Sequence, residues 1–181
     1  MIKESIAAAL IAFSQFEASM QVPLQMAIIF SPKSQPPTSE EQLKLTTFQF
    51  LDAFCKNDLD KIKEITTSRC TIESLLDKRF TSFHKLSNES NLLIKRMEIF
   101  HQAFDSISVK VEKMVVGSGE VALFCEFTMR QTGPFQNILP TNQFITLRTA
   151  LFIEFTTGKI NKIFDSPDEL SFFRQLGNLP L

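Results

Sequence analysis

Apolar residues recur along the first half of the chain at helical spacing. After the capping signal in residues 38–41, they fall on one helical face as Leu43, Phe48, Leu51, Phe54 and Cys55, which predicts an amphipathic helix. Asn57 and Asp58 interrupt this pattern and predict a short second helix, after which the Thr/Ser-rich residues 66–69 indicate a loop. Residues 90–104 predict a third helix with an aliphatic and aromatic inner face.

From residue 106 onward the apolar positions alternate, which is the period of a strand. After a turn at residues 117–120, one strand face carries Val121, Leu123, Cys125, Phe127 and Met129. Residues 144–155 repeat the alternation, and a turn at 156–159 leads into a last strand at 160–164. Helices followed by an antiparallel meander of about four strands predict an α+β fold with the helices on one sheet face.

The first 37 residues are distinct from this pattern. Residues 6–13 are an apolar run that resembles the core of a signal peptide, but Glu4 precedes the run and no A-x-A site follows it. An additional N-terminal helix is the other interpretation. The Pro-rich residues 31–37 mark a linker, so we expect an extension at 1–37 and one domain at 38–181.

The composition of the chain disfavours several kinds of partner and of site. The 181 residues, 44% of them hydrophobic, suit one soluble domain, and 19 basic against 20 acidic residues disfavour nucleic-acid or anionic membrane partners. The three cysteines are widely spaced without a CxxC pair, which favours reduced thiols in the cytoplasm over disulfides or structural zinc. We therefore expect no metal and no cofactor.

Two aspartates near the C-terminus are the candidates for chemistry. Ser166 with Glu169 forms a capping box with Pro167 at the first helical position, so the helix dipole alone explains Asp168 in the first turn. Asp165 instead ends a strand. If it faces a concave apolar surface, desolvation would raise its pKa and suit it to proton transfer; otherwise it caps local backbone amides.

Several short motifs occur in a characteristic order: residues 101–109 (HQAFDSISV), 119–122 (GEVA), 132–135 (TGPF), 139–141 (LPT), 158–160 (GKI) and 175–177 (QLG). In this order the chain resembles the SnoaL-like polyketide cyclase (ester cyclase) family of the nuclear transport factor 2-like superfamily, over about residues 40–177. The resemblance implies a cone-shaped α+β barrel with a strongly bent sheet over an apolar pocket. It also implies cofactor-free acid/base catalysis of an aldol closure, with Asp165 at the catalytic position.

The chain differs from many members of this family at a second position of the implied site, where Gln131 or a neighbouring residue replaces their histidine. An enolate needs a hydrogen-bond donor, and Gln131 and Thr149 are the candidates that strand alternation provides. A small hydrophobic ligand would then contact the remaining candidate binding residues, which are Phe48, Leu51, Phe127, Leu147, Leu151 and Asp168.

The outer sheet face combines aromatic and charged residues. Phe124, Phe144 and Phe152 share it with Glu126, Arg130, Arg148 and Glu154. This mixture suits a two-fold homodimer interface, although scattered surface aromatics between ion pairs would read the same way. Three interpretations stay open: a cyclase-like lyase, isomerase or hydrolase using Asp165, a small-molecule binding protein, and a noncatalytic dimeric interaction module with a filled pocket.

Overall fold

The computed structural model describes residues 39–74 and 92–177, so the predictions for residues 1–37 lie outside the described residues. Within these ranges, three helices precede or interrupt the sheet: α1 (Glu40–Lys56), α2 (Leu59–Ile65) and α3 (Leu92–Ala103). Four long strands and a short helix follow: β2 (Phe104–Val116), β3 (Glu120–Gln131), β4 (Phe144–Thr156), β5 (Lys159–Pro167) and α4 (Glu169–Gln175). One more strand, β1 (Thr66–Ser74), lies between α2 and α3.

The break between α1 and α2 follows the local chemistry of the sequence. Ser39 caps α1 by accepting a hydrogen bond from the Gln42 amide at 3.2 Å. Asn57 ends the helix in the left-handed region at φ 55°, and Asp58 then caps α2 by accepting from the Lys61 amide at 2.9 Å. Both predicted helices and the predicted break are confirmed.

The described strands form one strongly curled sheet in the order β1-β5-β4-β3-β2. All neighbouring pairs are antiparallel except β1 with β5, which is parallel. The predicted inner face is confirmed, since Val121, Leu123, Cys125, Phe127 and Met129 are all buried. The helices cover this face, so the α+β prediction holds.

Strand β1 corrects two expectations, namely a loop at 66–69 and a sheet of about four strands. Thr66 is buried and its hydroxyl donates to the Ile62 carbonyl at 2.7 Å, while Ile72 pairs in register with Ile163 of β5. β-branched threonines fit an edge strand as well as a loop. The register shift between Thr66 and Thr71 further hides the alternation in the sequence.

Helix α4 begins later than the capping box predicts. Ser166 and Pro167 still belong to β5, where they pair with Ala150 and Thr149. The Asp168 amide then donates to the Arg148 carbonyl at 2.8 Å, and the Asp168 side chain accepts from the Ser171 amide at 3.1 Å. The N-cap is therefore Asp168 and not Ser166, because backbone pairing with β4 continues for two further residues.

A connection between β3 and β4 packs tightly against the end of α3. The amides of Thr132 and Gly133 both donate to the Ala103 carbonyl, at 2.9 and 3.0 Å. A Cβ atom at Gly133 would lie 2.0 Å from the Gln102 carbonyl oxygen. The close approach of two backbones is therefore the reason for glycine at this position.

Candidate functional site

A cavity of about 110 Å³ lies between the helices and the curled face of the sheet. Among the described residues, most of the side chains that line it are hydrocarbon, and the polar ones are Arg96, Thr149 and Asp165. The apolar lining residues are Phe50, Phe54, Ile72, Leu93, Met97, Phe100, Phe127, Phe135, Leu147, Leu151, Ile163 and Phe172. Three side chains therefore supply the polar groups of an otherwise apolar cavity.

Asp165 and Thr149 come from adjacent strands. Asp165 stands opposite Leu151 in the pairing of β5 with β4, and Thr149 lies two residues from Leu151 on the same face. The Thr149 hydroxyl donates a hydrogen bond to Oδ1 of Asp165. Thr149 is itself buried, with 3% of its surface exposed, so it holds the carboxylate in one orientation.

Arg96 reaches the cavity from α3. Burial lowers the pKa of its guanidinium to about 10, and the nearby Asp165 carboxylate opposes that shift. At neutral pH the Arg96 side chain therefore remains a cation. Sequence reasoning missed Arg96, because a basic residue in an amphipathic helix normally indicates a solvent-facing position. Its place three residues after the buried Leu93 was the available signal.

The predicted hydrophobic binding residues separate into two groups. Phe127, Leu147 and Leu151 line the cavity. Leu51 is 1% exposed and belongs to the core, but it is not among the lining residues. Phe48 lies on the outer side of α1 with 42% of its surface exposed.

Gln131 is completely buried but faces away from the cavity lining. Its amide nitrogen donates to the carbonyls of Gly133 and Leu139 at 3.4 and 3.3 Å, and its amide oxygen accepts from the Thr141 hydroxyl at 2.9 Å. These bonds fix the connection between β3 and β4. The structure thus brings Thr149 to Asp165 and leaves Gln131 in a structural position.

Asp168 likewise lies outside the cavity lining, exposed at the start of α4. Hydrogen bonds from Ser171 lower the pKa of its carboxyl group, as expected for a helix N-cap. This position matches the structural explanation that the sequence offered for Asp168, with the cap shifted as described above.

Aromatic rings form one wall of the cavity. Phe54 contacts Phe100 and Phe127, each at 5.5 Å between ring centroids, and Phe135 contacts Phe172 at 5.9 Å. Such ring packing gives the space rigid walls. Behind it, the His101 ring donates from Nε2 to the Phe54 carbonyl at 2.7 Å, which ties α3 to α1.

Metal centres and membrane-spanning helices each require a recognisable set of residues. Within residues 39–74 and 92–177, no three His, Cys, Asp or Glu side chains could together hold a metal ion. In the same ranges, no helix has both the length and the apolar character needed to cross a membrane.

The outer sheet face has the composition that the alternation predicts. Phe124, Phe144 and Phe152 are 38%, 63% and 53% exposed. Arg148 contacts Glu126 at 2.7 Å on this face. Large exposed rings and an ion pair therefore lie side by side on the surface of the sheet.

Comparison with known proteins places this arrangement among related folds. Residues 46–176 match the family described as SnoaL-like polyketide cyclase. A comparison with curated protein sequences finds no match.

Solved structures agree in fold at low sequence identity. AclR from Streptomyces galilaeus has a TM-score of 0.66 at 22% identity, covering 79% of this chain and 89% of its own. IdmH from Streptomyces antibioticus has a TM-score of 0.64 at 16% identity, and the match covers 76% of this chain and 99% of IdmH. An LEH-like epoxide hydrolase from M. tuberculosis has a TM-score of 0.55 at 13% identity, and the match covers 75% of this chain and 90% of the hydrolase. At these identities the likeness establishes the fold alone.

Proposed function

The chain belongs to the SnoaL-like polyketide cyclase family, and from that premise we propose that it binds a compact carbonyl compound in the cavity and that Asp165 transfers a proton on it. The observation that carries the proposal is the position of Asp165. Among the described lining residues it is the only carboxylate, and Thr149 fixes its orientation inside an otherwise largely hydrocarbon space.

The chemistry that fits this arrangement needs no cofactor. Asp165 accepts a proton from the carbon next to a carbonyl group, and the same carboxyl group returns the proton elsewhere on the ligand or its product. Aldol ring closure and double-bond migration both begin with that step. The ester-cyclase reaction implied by the family resemblance is one form of the proposal.

The experiment is native mass spectrometry of the protein incubated with a mixture of small hydrophobic carbonyl compounds. We expect the wild type to deplete a compound that Asp165→Asn only retains. Asp168→Asn is the matched control, because it makes the same side-chain change three residues away at a helix cap where asparagine serves equally well. Equal depletion by Asp165→Asn and the wild type would contradict the proposal.

A noncatalytic dimeric interaction module with a largely filled pocket is the second candidate, and the small cavity volume is the observation in its favour. At about 110 Å³ the space is below the range of about 300–1,000 Å³ typical of sites for drug-sized ligands. If neither the wild type nor Asp165→Asn depletes or retains any compound, this alternative is supported, whereas retention of the same compound, unchanged, by both would indicate a small-molecule binding protein.

We also propose that the outer sheet face mediates a homodimer. The support is the exposure of Phe124, Phe144 and Phe152 beside charged groups, since a two-fold interface can pair such rings and ions with their own copies. Phe152→Lys should shift the protein to monomer in sedimentation velocity, whereas Leu45→Lys, at an exposed position on α1, should not. A monomeric wild type would contradict this.

A further inference from the structure

We propose that the Arg96 guanidinium is the oxyanion-binding group of the cavity. The ligand is then a compound whose carbonyl oxygen contacts Arg96 while a neighbouring C–H group faces Asp165. This inference rests on the proposed function, because it assigns the second half of the same proton transfer. It also defines the ligand more narrowly, by size and by the placement of one oxygen.

Arg96 and Asp165 line the same cavity. Arg96 comes from α3 and Asp165 from β5, so two separate elements bring opposite charges to one cavity of about 110 Å³. The remaining described lining is hydrocarbon apart from the Thr149 hydroxyl, which is already engaged with Asp165. A ligand in this cavity therefore meets Arg96 as its strongest hydrogen-bond donor among the described residues.

Burial and the neighbouring Asp165 have opposite effects on the Arg96 cation. Removing a cation from water is costly, and burial accordingly lowers the pKa of Arg96 to about 10, against the opposing effect of Asp165. When Asp165 becomes protonated, that opposing charge disappears and a new negative charge is favoured nearby. Proton transfer from a carbonyl compound produces such a charge on the ligand oxygen at the same moment.

The step balances in atoms and electrons. The C–H bond breaks and its proton passes to a carboxylate oxygen of Asp165. The C–H electron pair becomes a C=C bond, and the carbonyl π pair moves onto oxygen, which accepts N–H hydrogen bonds from Arg96. Total charge in the cavity is unchanged, so no oxidant, reductant or further reactant is required.

The volume of the cavity limits the ligand. At about 110 Å³ it is smaller than the apolar cavity of about 150 Å³ that accepts benzene, so the ligand is at most a single ring or a chain of similar bulk. The inferred ligand class is thus a small carbonyl compound with an apolar body and one oxygen directed at α3. Larger ring systems do not fit the cavity as it stands.

The test imitates the state after proton transfer. In Asp165→Asn the neutral amide stands in for the protonated carboxyl group, and 4-nitrophenolate supplies a negative oxygen on a planar carbon frame, like an enolate. Nitrobenzene is the uncharged probe of similar shape. Affinities for both probes are measured by calorimetry at a mildly alkaline pH, where 4-nitrophenol is ionised.

We expect Asp165→Asn to bind 4-nitrophenolate about tenfold to a hundredfold more tightly than the double variant Asp165→Asn/Arg96→Gln, the range of a charged hydrogen bond. Nitrobenzene should bind both equally, which also shows that the cavity is intact. Lys95→Gln in the same background removes an equal charge from an exposed position on α3 and should change neither affinity.

Equal binding of the phenolate with and without Arg96 would overturn the inference and leave the proposed function standing. If Arg96→Gln abolishes nitrobenzene binding as well, Arg96→Lys decides: retained preference for the phenolate supports the inference, and lost preference overturns it. If wild type and Asp165→Asn bind neither probe, both this inference and the proposed function are wrong.

Discussion

Gly133→Ala adds a single methyl group, and the structure predicts that it lowers stability strongly. The added methyl group would lie 2.0 Å from the Gln102 carbonyl oxygen and 3.1 Å from the Ala103 Cα atom. Both are backbone atoms, so no side-chain rotation can relieve the overlap. The connection must move away from α3 or the helix end must unwind.

The magnitude follows from two contributions. Overpacking costs about 1–3 kcal/mol, and displacement weakens the two hydrogen bonds to the Ala103 carbonyl, each with a net value of about 1 kcal/mol. A loss of about 3 kcal/mol corresponds to a fall in Tm of about 6–12 °C for a domain of this size. Circular dichroism melting and urea denaturation both measure it.

Gly117→Ala is the matched control. The nearest atom to a Cβ there is the Glu120 carbonyl oxygen at 3.9 Å, an ordinary contact, and its φ is not in the left-handed region. That variant should change Tm by less than about 2 °C. If the two variants melt together, the close approach at Gly133 does not determine stability and the reasoning is refuted.

Three further outcomes follow from other contacts. Gln175→Ala should cost about 1–2 kcal/mol in denaturation, because the Gln175 amide bonds both backbone groups of Thr146, at 2.8 and 2.9 Å; an unchanged midpoint contradicts this. Hydrogen bonds from Ser171 lower the pKa of Asp168, so the ionised Asp168 side chain stabilises the fold fully above its unfolded pKa of about 4, and this stabilisation is lost as the pH falls. Asp168→Asn should remove this contribution from the pH dependence of Tm. Burial raises the pKa of the Cys125 thiol to about 12. In the native protein at pH 8, Cys125 should therefore not react with a thiol-titrating disulfide reagent, and it should react once the protein is unfolded.

The strands were predictable because their inner faces are predominantly apolar. The strands that contain Val121 and Ile153 alternate between buried and outward-facing residues. A shift of one residue in strand pairing would expose all of the inner-face side chains, so the pattern identifies the strands clearly. Strand β1 lacked that signal because its edge position lets Thr67 and Ser68 stay partly or fully exposed. The start of α4 was missed for a related reason, since pairing with β4 continues through Pro167.

The site was predictable only where strand position determines it. Alternation placed Thr149 on the inner face, whereas the direction of Asp165 on the adjacent strand stayed open and its catalytic position followed from the family resemblance. Arg96 and Gln131 required three-dimensional information. A helical arginine is usually solvated, and whether a buried amide faces a cavity or a loop depends on Gly133 and Thr141, whose positions the sequence pattern does not reveal.

Deuterium incorporation tests the central claim most directly, since it does not depend on the identity of the natural substrate. Single-ring and short-chain ketones and keto esters are incubated in D2O with wild type, Asp165→Asn and Asp168→Asn, and exchange beside the carbonyl group is followed by NMR. The account predicts that wild type and Asp168→Asn accelerate exchange of at least one compound, whereas Asp165→Asn loses about a hundredfold or more of that rate. Exchange at the same rate with Asp165→Asn as with wild type would contradict the assignment of Asp165 as the proton-transferring group.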